Sequence, residues 1–473
     1  MTLAPPPQDP PPVPPWWRRR PVRAWALGTL LALSGLVILG LVREQTGTEG
    51  FLVGLGLATL PVPLLTAAFR WLDRVEPGPW RNLIFAFAWG ACAAALIAIV
   101  ANSFATRWIA TATADPASAD TLGATVIAPV VEECAKAAAV LLVFLFRRRE
   151  FTGIVDGVVI AGVTATGFAF TENVLYLGNA YGTDEDSGIT GLALDSVTAA
   201  TFFVRIVMSP FAHPLFTVLT GIGFGVAARA AHRQRVRRVL LPVLGLGLAM
   251  GMHALWNSSA VFGPFGFLAV YAGFMVPAFA LLTWLTVWTR QRELRTVRTE
   301  LPVYAAAGWI GPYEAYALSS MRARRIARDR AAHLGGPPAA RTVAQYEAYA
   351  TSLAFLRHRG RGGRAGAEYV ARERELLDAL WRRRETARPA LEYAARVTAP
   401  PAPAPRPYPY PYPYPYAYGP PRGPHLTYVP RQAPGPYAPQ PVYAPQPVYA
   451  PQPVYAPQPV HAPQPAGNPY RSG

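Results

Sequence analysis

The chain has 473 residues, of which 52% are hydrophobic and 15% are charged, and its formal net charge is +17. This composition excludes an ordinary soluble domain and indicates a membrane protein with a soluble part attached. The two cysteines, Cys92 and Cys134, both fall in apolar segments, which excludes a disulfide framework. We expect no nucleic acid among the partners, because arginines beside anionic lipid account for the positive charge.

The N-terminal residues 1–23 predict a disordered cytosolic segment, because they are rich in proline and end in a cluster of arginines. The first apolar segment follows at once. It has no small-residue cleavage site after it, so we interpret it as a retained membrane helix and not as a signal peptide.

Apolar stretches of about 20 residues, long enough to cross a bilayer, predict about eight transmembrane helices between residues 24 and 290. Pro61 and Pro63 make the second helix the weakest of them. The expected fold is therefore an all-α, polytopic membrane helix bundle. The predicted spans are 24–42, 51–69, 82–101, 122–146, 154–177, 202–228, 239–260 and 267–288.

Arginine clusters fall in alternate loops of this arrangement. The opposite loops carry only Arg43 and Arg107, together with an acidic stretch at 184–186. Because short cytoplasmic loops are enriched in Arg and Lys, we predict that both termini are cytoplasmic. The clusters lie at 18–23, 70–81, 147–149, 229–238 and 290–298.

Three ionisable residues lie inside the fourth predicted span: Glu132, Glu133 and Lys136. A charge at the centre of a bilayer costs about 2.5–3.5 kcal/mol, so such residues usually mark function. On a helix Lys136 is within reach of both Glu133, three residues away, and Glu132, four residues away. We therefore expect one glutamate to pair with the lysine and the other to remain free to act.

The fifth span adds Glu172, followed by Asn173. Two glycines, Gly162 and Gly167, precede this pair at a spacing typical of close helix packing. Arg205, near the outer end of the sixth span, is expected to stay outside the site, where it snorkels or pairs with the acidic loop.

The sixth and seventh spans supply two histidines. His213 lies between Pro210 and Pro214, which should break the helix beside the imidazole. His253 and Asn257 are four residues apart and share one helix face. At about 1.5 Å per residue, all four polar sites lie roughly 9–16 Å below the outer surface. They therefore predict one pocket that opens toward the outside.

Three carboxylates, two imidazoles and an amide suit two kinds of hydrolysis. They could bind a divalent metal through nitrogen and oxygen ligands and leave one carboxylate to take a proton from water. They could also act without a metal, with a buried glutamate activating water while histidine and asparagine stabilise the oxyanion. Both chemistries cleave an amide bond within the membrane.

Residues 301–397 are rich in alanine and arginine and predict a basic cytosolic region of three short helices. Tyr346, Tyr349 and Leu353, for example, recur at helical spacing. The arginines crowded into 322–330, Arg324 among them, predict a solvated basic face. Docking to the membrane surface or to a partner is the alternative.

Residues 398–473 predict a disordered tail. Proline and tyrosine alternate at 407–416, and a six-residue unit then recurs as far as His461. Proline fixes φ and removes backbone donors, which favours an extended polyproline II chain. Such a tail could dock into an aromatic-lined groove of a partner protein, or it could be a tether without a specific ligand.

Four motifs on successive helices resemble the PrsW family of bacterial intramembrane metalloproteases, which is related to the CPBP and Rce1-type membrane proteases. The sequence EECAK at 132–136 is similar to the EExxK motif of that family, and residues 168–173 are similar to its FxxxEN element. His213 corresponds to the third motif and the segment 253–257 to the last one. The resemblance covers about residues 80–290. Some members have Asp where this chain has Asn257.

The resemblance implies an intramembrane metallo-endopeptidase of a bacterial plasma membrane. Its implied substrates are membrane-anchored proteins, typically single-pass anti-sigma factors, cut near their extracytoplasmic side. Glu132 or Glu133 would activate the water, and Asn257 would belong to the same catalytic site. The implied metal is Zn²⁺, held by Glu172, His213 and His253, while Lys136 and Asn173 would have structural roles.

Two readings from other functional classes remain open. Buried glutamates and histidines also form the proton relays of transporters and channels. A transporter usually shows internal repeats among its helices, and none is evident between the first four and the last four spans. A membrane scaffold without catalysis, whose tail recruits partners, is the third possibility.

Overall fold

A computed structural model describes residues 20–148, 150–188, 195–230, 234–361 and 367–399. These residues form helices and no strand, which confirms the all-α prediction. The predictions for the proline-rich termini concern residues that lie almost wholly outside the described ones. The helices are α1 Arg20–Thr59, α2 Pro61–Leu72, α3 Trp80–Ala88, α4 Ala95–Thr113, α5 Pro116–Leu122, α6 Ala128–Phe146, α7 Ile154–Asp186, α8 Val197–Phe202, α9 Ala212–Arg229, α10 Arg235–Ser259, α11 Gly263–Val270, α12 Val276–Glu300, α13 Pro302–Ala306, α14 Glu314–Leu318, α15 Met321–Gly360, α16 Ala367–Trp381 and α17 Arg384–Thr398.

Several of these helices join through wider π-helical turns without a change of direction. Such turns appear mostly as single insertions in α-helices and are frequent at functional sites. They join α3 to α4, α5 to α6 and α11 to α12, and a fourth extends α8 to Met208. The π-helical segments are Trp89–Ala94, Gly123–Ile127, Phe203–Met208 and Tyr271–Met275.

Five described segments are long and apolar enough to cross a membrane. Ala24–Leu72 and Arg235–Ala306 contain 49 and 72 residues, far more than one crossing of about 20 residues needs. Each contains a glycine with positive φ, Gly47 at 70° and Gly263 at 71°, where the helix direction changes. Helix α6 is too charged to qualify by composition. The multi-span membrane architecture is therefore clear, while the count of eight spans stays a prediction.

Helix α7 lies at the centre of the bundle. In its most apolar stretch of 18 residues, 83% is buried, whereas the corresponding stretches of the other four segments are 6–44% buried. Its glycines allow this, because a Cβ on Gly162 would lie 2.1 Å from a ring carbon of Phe69, and one on Gly167 would lie 2.2 Å from the carbonyl oxygen of Phe87. The close packing predicted from these glycines is confirmed. It positions Glu172, which α7 carries further along.

Gly167→Ala should destabilise the bundle, because the contact of the new methyl group is with backbone and not with a flexible side chain. Overpacking of this kind costs about 1–3 kcal/mol. Gly40→Ala is the matched control, since nothing lies within 4 Å of a Cβ at that position of α1. Thermal unfolding in detergent should show a lower midpoint for Gly167→Ala alone. Equal midpoints for both variants would contradict the close packing.

Helices α13–α17 form a second bundle with its own core, built around residues such as Leu301, Tyr346 and Leu391. The helical prediction for this region is confirmed, but the number of helices was wrong. Two short helices precede α15, and α15 itself continues through Gly336, where φ is 71°. The backbone at Gly336 is not helical, so α15 consists of two helical parts that meet at a kink within the Gly-Gly-Pro-Pro sequence.

The solvated basic face predicted for 322–330 was wrong for Arg324, which is 1% exposed. Its guanidinium donates to the carbonyl oxygen of Val75 at 2.8 Å and to Oγ1 of Thr351 at 2.7 Å. Ser352 adds a 2.7 Å hydrogen bond to Glu76. The loop between α2 and α3 thus supplies acceptors that a sequence pattern within 301–397 does not reveal. These contacts attach the C-terminal bundle to the membrane bundle.

The stability of this C-terminal bundle should fall as the pH rises from about 4.5 to about 7. Glu347 is 4% exposed, and burial raises its pKa from 4.5 to about 7 against the opposing effect of Arg324 and Arg328. The folded state therefore keeps the proton to a higher pH than the unfolded state. This contribution to stability is complete below pH 4.5 and is lost as the pH rises through about 7.

The measurement is thermal unfolding of the full chain in detergent over this pH range. Glu347→Gln, which imitates the protonated carboxyl group, should reduce the slope of the unfolding midpoint against pH. Some slope should remain, because burial also raises the pKa of Glu76 to about 7. Glu385→Gln is the control, since the Glu385 side chain is 90% exposed. If Glu347→Gln left the slope unchanged, the raised pKa of Glu347 would not be a cause of the pH dependence.

Candidate active site

Four helices of the membrane bundle bring the predicted polar residues together. Helix α6 carries both adjacent glutamates and the lysine, α7 carries the third glutamate, and α9 and α10 each carry one histidine. Of the residues predicted for the site, those whose side chains make direct polar contacts with one another are Glu132, Glu133, Lys136, Glu172, His213 and His253.

Glu133 is the innermost carboxylate and is completely buried. Its Oε1 lies 2.9 Å from Nζ of Lys136 and 3.1 Å from Nδ1 of His253. Its Oε2 accepts a 2.8 Å hydrogen bond from the hydroxyl group of Thr217 on α9. Both oxygens of Glu133 therefore have partners, and the carboxylate connects α6, α9 and α10.

Lys136 lies at the middle of the cluster and is also completely buried. Besides Glu133, its ammonium group contacts Oε2 of Glu132 at 3.3 Å and Nδ1 of His213 at 3.1 Å. It lies 3.9 Å from the centre of the Phe168 ring. Lys136 therefore contacts both glutamates, whereas the sequence predicted a pair with one of them, and it lies closer to Glu133.

His213 follows the break that the flanking prolines predict. The helical turns of 203–208 end at Met208, and α9 begins at Ala212. Nε2 of His213 lies 2.6 Å from Oε2 of Glu172. The Lys136 ammonium group can only donate, so Nδ1 of His213 must accept from it. The ring proton is therefore on Nε2, and this N–H group donates to Glu172. The imidazole is thereby fixed from both sides.

Arg205 belongs to the cluster, so its predicted place outside the site was wrong. One Nη atom lies 2.7 Å from Oε2 of Glu172, and Nε donates to Oδ1 of Asn173 at 2.7 Å. Asp184 of the acidic stretch accepts instead from the start of α8, including the hydroxyl group of Thr198 at 2.6 Å. The signal available in the sequence was that Arg205 and Glu172 both lie within about one and a half helical turns of the outer ends of neighbouring spans.

His253 and Asn257 separate in the structure although they share one helix face. His253 is 1% exposed and stacks on Phe216, with ring centres 4.8 Å apart. Its Nε2 lies 3.8 Å from Oε2 of Glu132. Asn257 instead donates to the carbonyl oxygen of Ala124 at 2.9 Å. Asn257 therefore lines the site without touching the imidazole one turn away.

A cavity of about 510 Å³ borders the cluster and extends along α7 as far as Tyr176. Its wall includes Glu132, Glu172 and His213, whereas Glu133, Lys136 and His253 lie behind that wall. Of the two adjacent glutamates it is therefore Glu132 that faces the cavity. Its Oε2 points toward Lys136 and His253, and its Oε1 makes no hydrogen bond with the residues that the structure describes.

Glu132, His213 and His253 offer one ligand atom each, and these atoms lie within 4.8 Å of one another. One carboxylate and two imidazoles form a donor set that suits zinc. Glu172, predicted as a ligand, instead contacts His213 from the far side and pairs with Arg205. Glu132, His213 and His253 suit a zinc ion by donor type and spacing. Nδ1 of His213 and Oε2 of Glu132 contact Nζ of Lys136 in the structure, so a metal bound through those atoms would require the lysine to move. The ligand assignment made from the sequence stays a prediction.

Residues 78–282 match the family model of PrsW family intramembrane metalloproteases. The matched segment begins just before α3, ends within α12 and contains every residue of the cluster. The resemblance inferred from the four motifs is therefore confirmed over this segment, which supports a peptidase that acts on membrane-embedded protein substrates in the bilayer. No curated protein and no solved structure matches the chain.

Proposed function

We propose, from the PrsW-family match of residues 78–282, that the cluster around Glu132 is the active site of an endopeptidase that cleaves membrane-anchored proteins within the bilayer. One observation carries the proposal: Glu132, Glu172 and His213 face a common cavity while Lys136 and His253 support them from behind. Charged residues within a membrane usually pair with one another or with backbone carbonyl groups, and they usually mark function. Here Oε1 of Glu132 has no hydrogen-bond partner among the residues that the structure describes, and it lies beside a cavity.

Glu132 is the carboxylate that accepts the proton of the attacking water and passes it to the leaving amine. Its free Oε1 makes it available, whereas both oxygens of Glu133 are occupied by Lys136, His253 and Thr217. A general base must lie within hydrogen-bond reach of the proton that it abstracts, and the cavity that Glu132 borders offers room for a water and a peptide. Glu133 accordingly orients Lys136 and His253.

The residues that would bind a zinc ion are Glu132, His213 and His253, with Glu132 contributing one oxygen and keeping the other for the proton of the water. Such an ion would polarise the scissile carbonyl group as a Lewis acid. Glu172 orients His213 through the Nε2–H group, as carboxylates beside metal-binding histidines commonly do. Removal of metal with a chelator should abolish cleavage, and zinc should restore it. Cleavage that persists without metal but requires Glu132 would favour the metal-free chemistry.

The substrates that fit this site are single-pass membrane proteins, such as anti-sigma factors, cut near their extracytoplasmic side. The arginine-rich loops support this orientation, because Arg and Lys accumulate on the cytoplasmic side. The cavity extends along α7 as far as Tyr176, away from the loop at 73–79 that contacts the C-terminal bundle. With both termini cytoplasmic in a bacterial plasma membrane, it would open toward the outside.

The test is cleavage of tagged single-pass membrane proteins in cells that express wild type or His253→Ala at equal abundance. Fragments that appear only with wild type would support the peptidase, and their sizes would report the face of the membrane to which the site opens. Tags at both ends of the substrate distinguish one cut from progressive degradation. Identical fragments from both strains would contradict the proposal and favour a transporter or a scaffold.

A further inference from the structure

Arg205 has a binding capacity that its contacts in the structure do not use. It lies in the π-helical segment Phe203–Met208, and its side chain, 21% exposed, forms part of the cavity wall. Nε donates to Asn173, and Nη2 contacts Glu172. Nη1, with two N–H groups, makes no hydrogen bond or ion pair with any residue that the structure describes.

The guanidinium is also held in a fixed orientation. Its central carbon lies 4.0 Å from the centre of the Tyr176 ring, and the hydrogen bonds to Asn173 and Glu172 fix its plane at 2.7 Å each. Neutralising Glu172 requires only a positive charge, which a lysine would supply. A planar group with two anchored nitrogens instead gives the third nitrogen a set direction.

We propose that Nη1 of Arg205 binds a main-chain carbonyl oxygen of the substrate beside the scissile bond. This inference rests on the proposed peptidase function. Unpaired N–H groups within a membrane are costly, so they require an acceptor. A peptide that is extended in the cavity supplies one carbonyl oxygen per residue, whereas an intact helix keeps its carbonyl groups internally bonded. Arg205 is thus a substrate-binding residue and not only the counterion of Glu172.

The ligand class follows from the charges around the cavity. Glu132 and Glu172 already border it, so an acidic side chain of a substrate would meet repulsion there. A neutral carbonyl oxygen accepts from a guanidinium without that penalty. Asn102 also lines the cavity, and its buried Oδ1 has no partner in the described part of the chain, so a peptide N–H group would satisfy it. The donor on Arg205 and the acceptor on Asn102 would thus pair with the C=O and N–H groups of an extended peptide backbone.

The experiment measures binding without turnover, in full-length protein that carries Glu132→Gln. The probe is a fluorescein-labelled single-span peptide of leucine and alanine with a central Gly-Ser-Gly-Ser, and fluorescence anisotropy in detergent gives its dissociation constant. Adding Arg205→Lys, which keeps the positive charge beside Glu172, should weaken binding about ten-fold or more. Arg107→Lys, an exposed position on α4 outside the cavity wall, should leave binding unchanged.

Equal binding by the Arg205→Lys protein would overturn the inference, and so would the absence of saturable binding by the Glu132→Gln protein. If Arg205→Lys does not fold, Asn173→Ala keeps the ion pair with Glu172 but releases Nε, and it should weaken binding several-fold. Unchanged binding there would also overturn the inference. Because this assay needs no cleavage, peptide binding without proteolysis in cells would contradict the peptidase and not the role of Arg205.

Discussion

Glu132→Gln should reduce cleavage by about 10²- to 10⁴-fold and leave the protein folded, because it removes a general base while keeping the shape of the side chain. The unpaired Oε1 beside the cavity is the reason for the expectation. The measurement is the rate of cleavage of a tagged single-pass substrate at equal protein abundance, together with thermal unfolding in detergent. Glu44→Gln, at an exposed position of α1, is the neutral control.

Glu133→Gln should behave differently and thereby separate the two adjacent glutamates. It should also lose cleavage, but its unfolding midpoint should fall, because the change removes the charge that pairs with Lys136 and His253. The opposite pattern, a stable inactive Glu133→Gln beside an active Glu132→Gln, would show that the roles are exchanged. The adjacent carboxylates would then have to rearrange before the reaction.

The sequence predicts the residues of this site better than it predicts their contacts. Charges inside apolar spans identify Glu132, Lys136 and Glu172, because membrane burial is costly whatever the fold. The break before His213 likewise follows from local proline chemistry. These expectations depend on neighbouring residues and on general energetics alone, so they do not require the packing of the helices to be known.

Contacts between distant segments could not be predicted in this way. Arg205 pairs with Glu172 across 33 positions of sequence, and Arg324 reaches the carbonyl oxygen of Val75 across 249. Each contact depends on which helices are neighbours and on their rotation. Asn257 illustrates the same limit at short range, since its place on the His253 face does not reveal that its amide donates to a carbonyl group of another segment.

Replacement of Lys136 should have the largest effect on stability. Lys136 is the only lysine of the chain, whose other basic side chains, histidines aside, are all arginines. Its compact ammonium group has three donors, and the structure gives it three acceptors, on Glu132, Glu133 and His213. Lys136→Met would leave two buried carboxylates without their cation, which costs about 3–5 kcal/mol. Chemical denaturation in detergent should show this loss.

A double-mutant cycle tests whether the ion pair is the cause. Lys136→Met combined with Glu133→Gln should be more stable than Lys136→Met alone, because the second change removes one of the stranded charges. Lys136→Arg should also fail to support cleavage, since a planar guanidinium cannot direct its donors to the same three acceptors. Arg107→Lys, at an exposed position on α4, is the control: exchange of an arginine and a lysine there should leave cleavage unchanged. If Lys136→Arg retained full activity, the position would require only a positive charge, and the geometry of the ammonium group would not explain why this chain keeps its single lysine here.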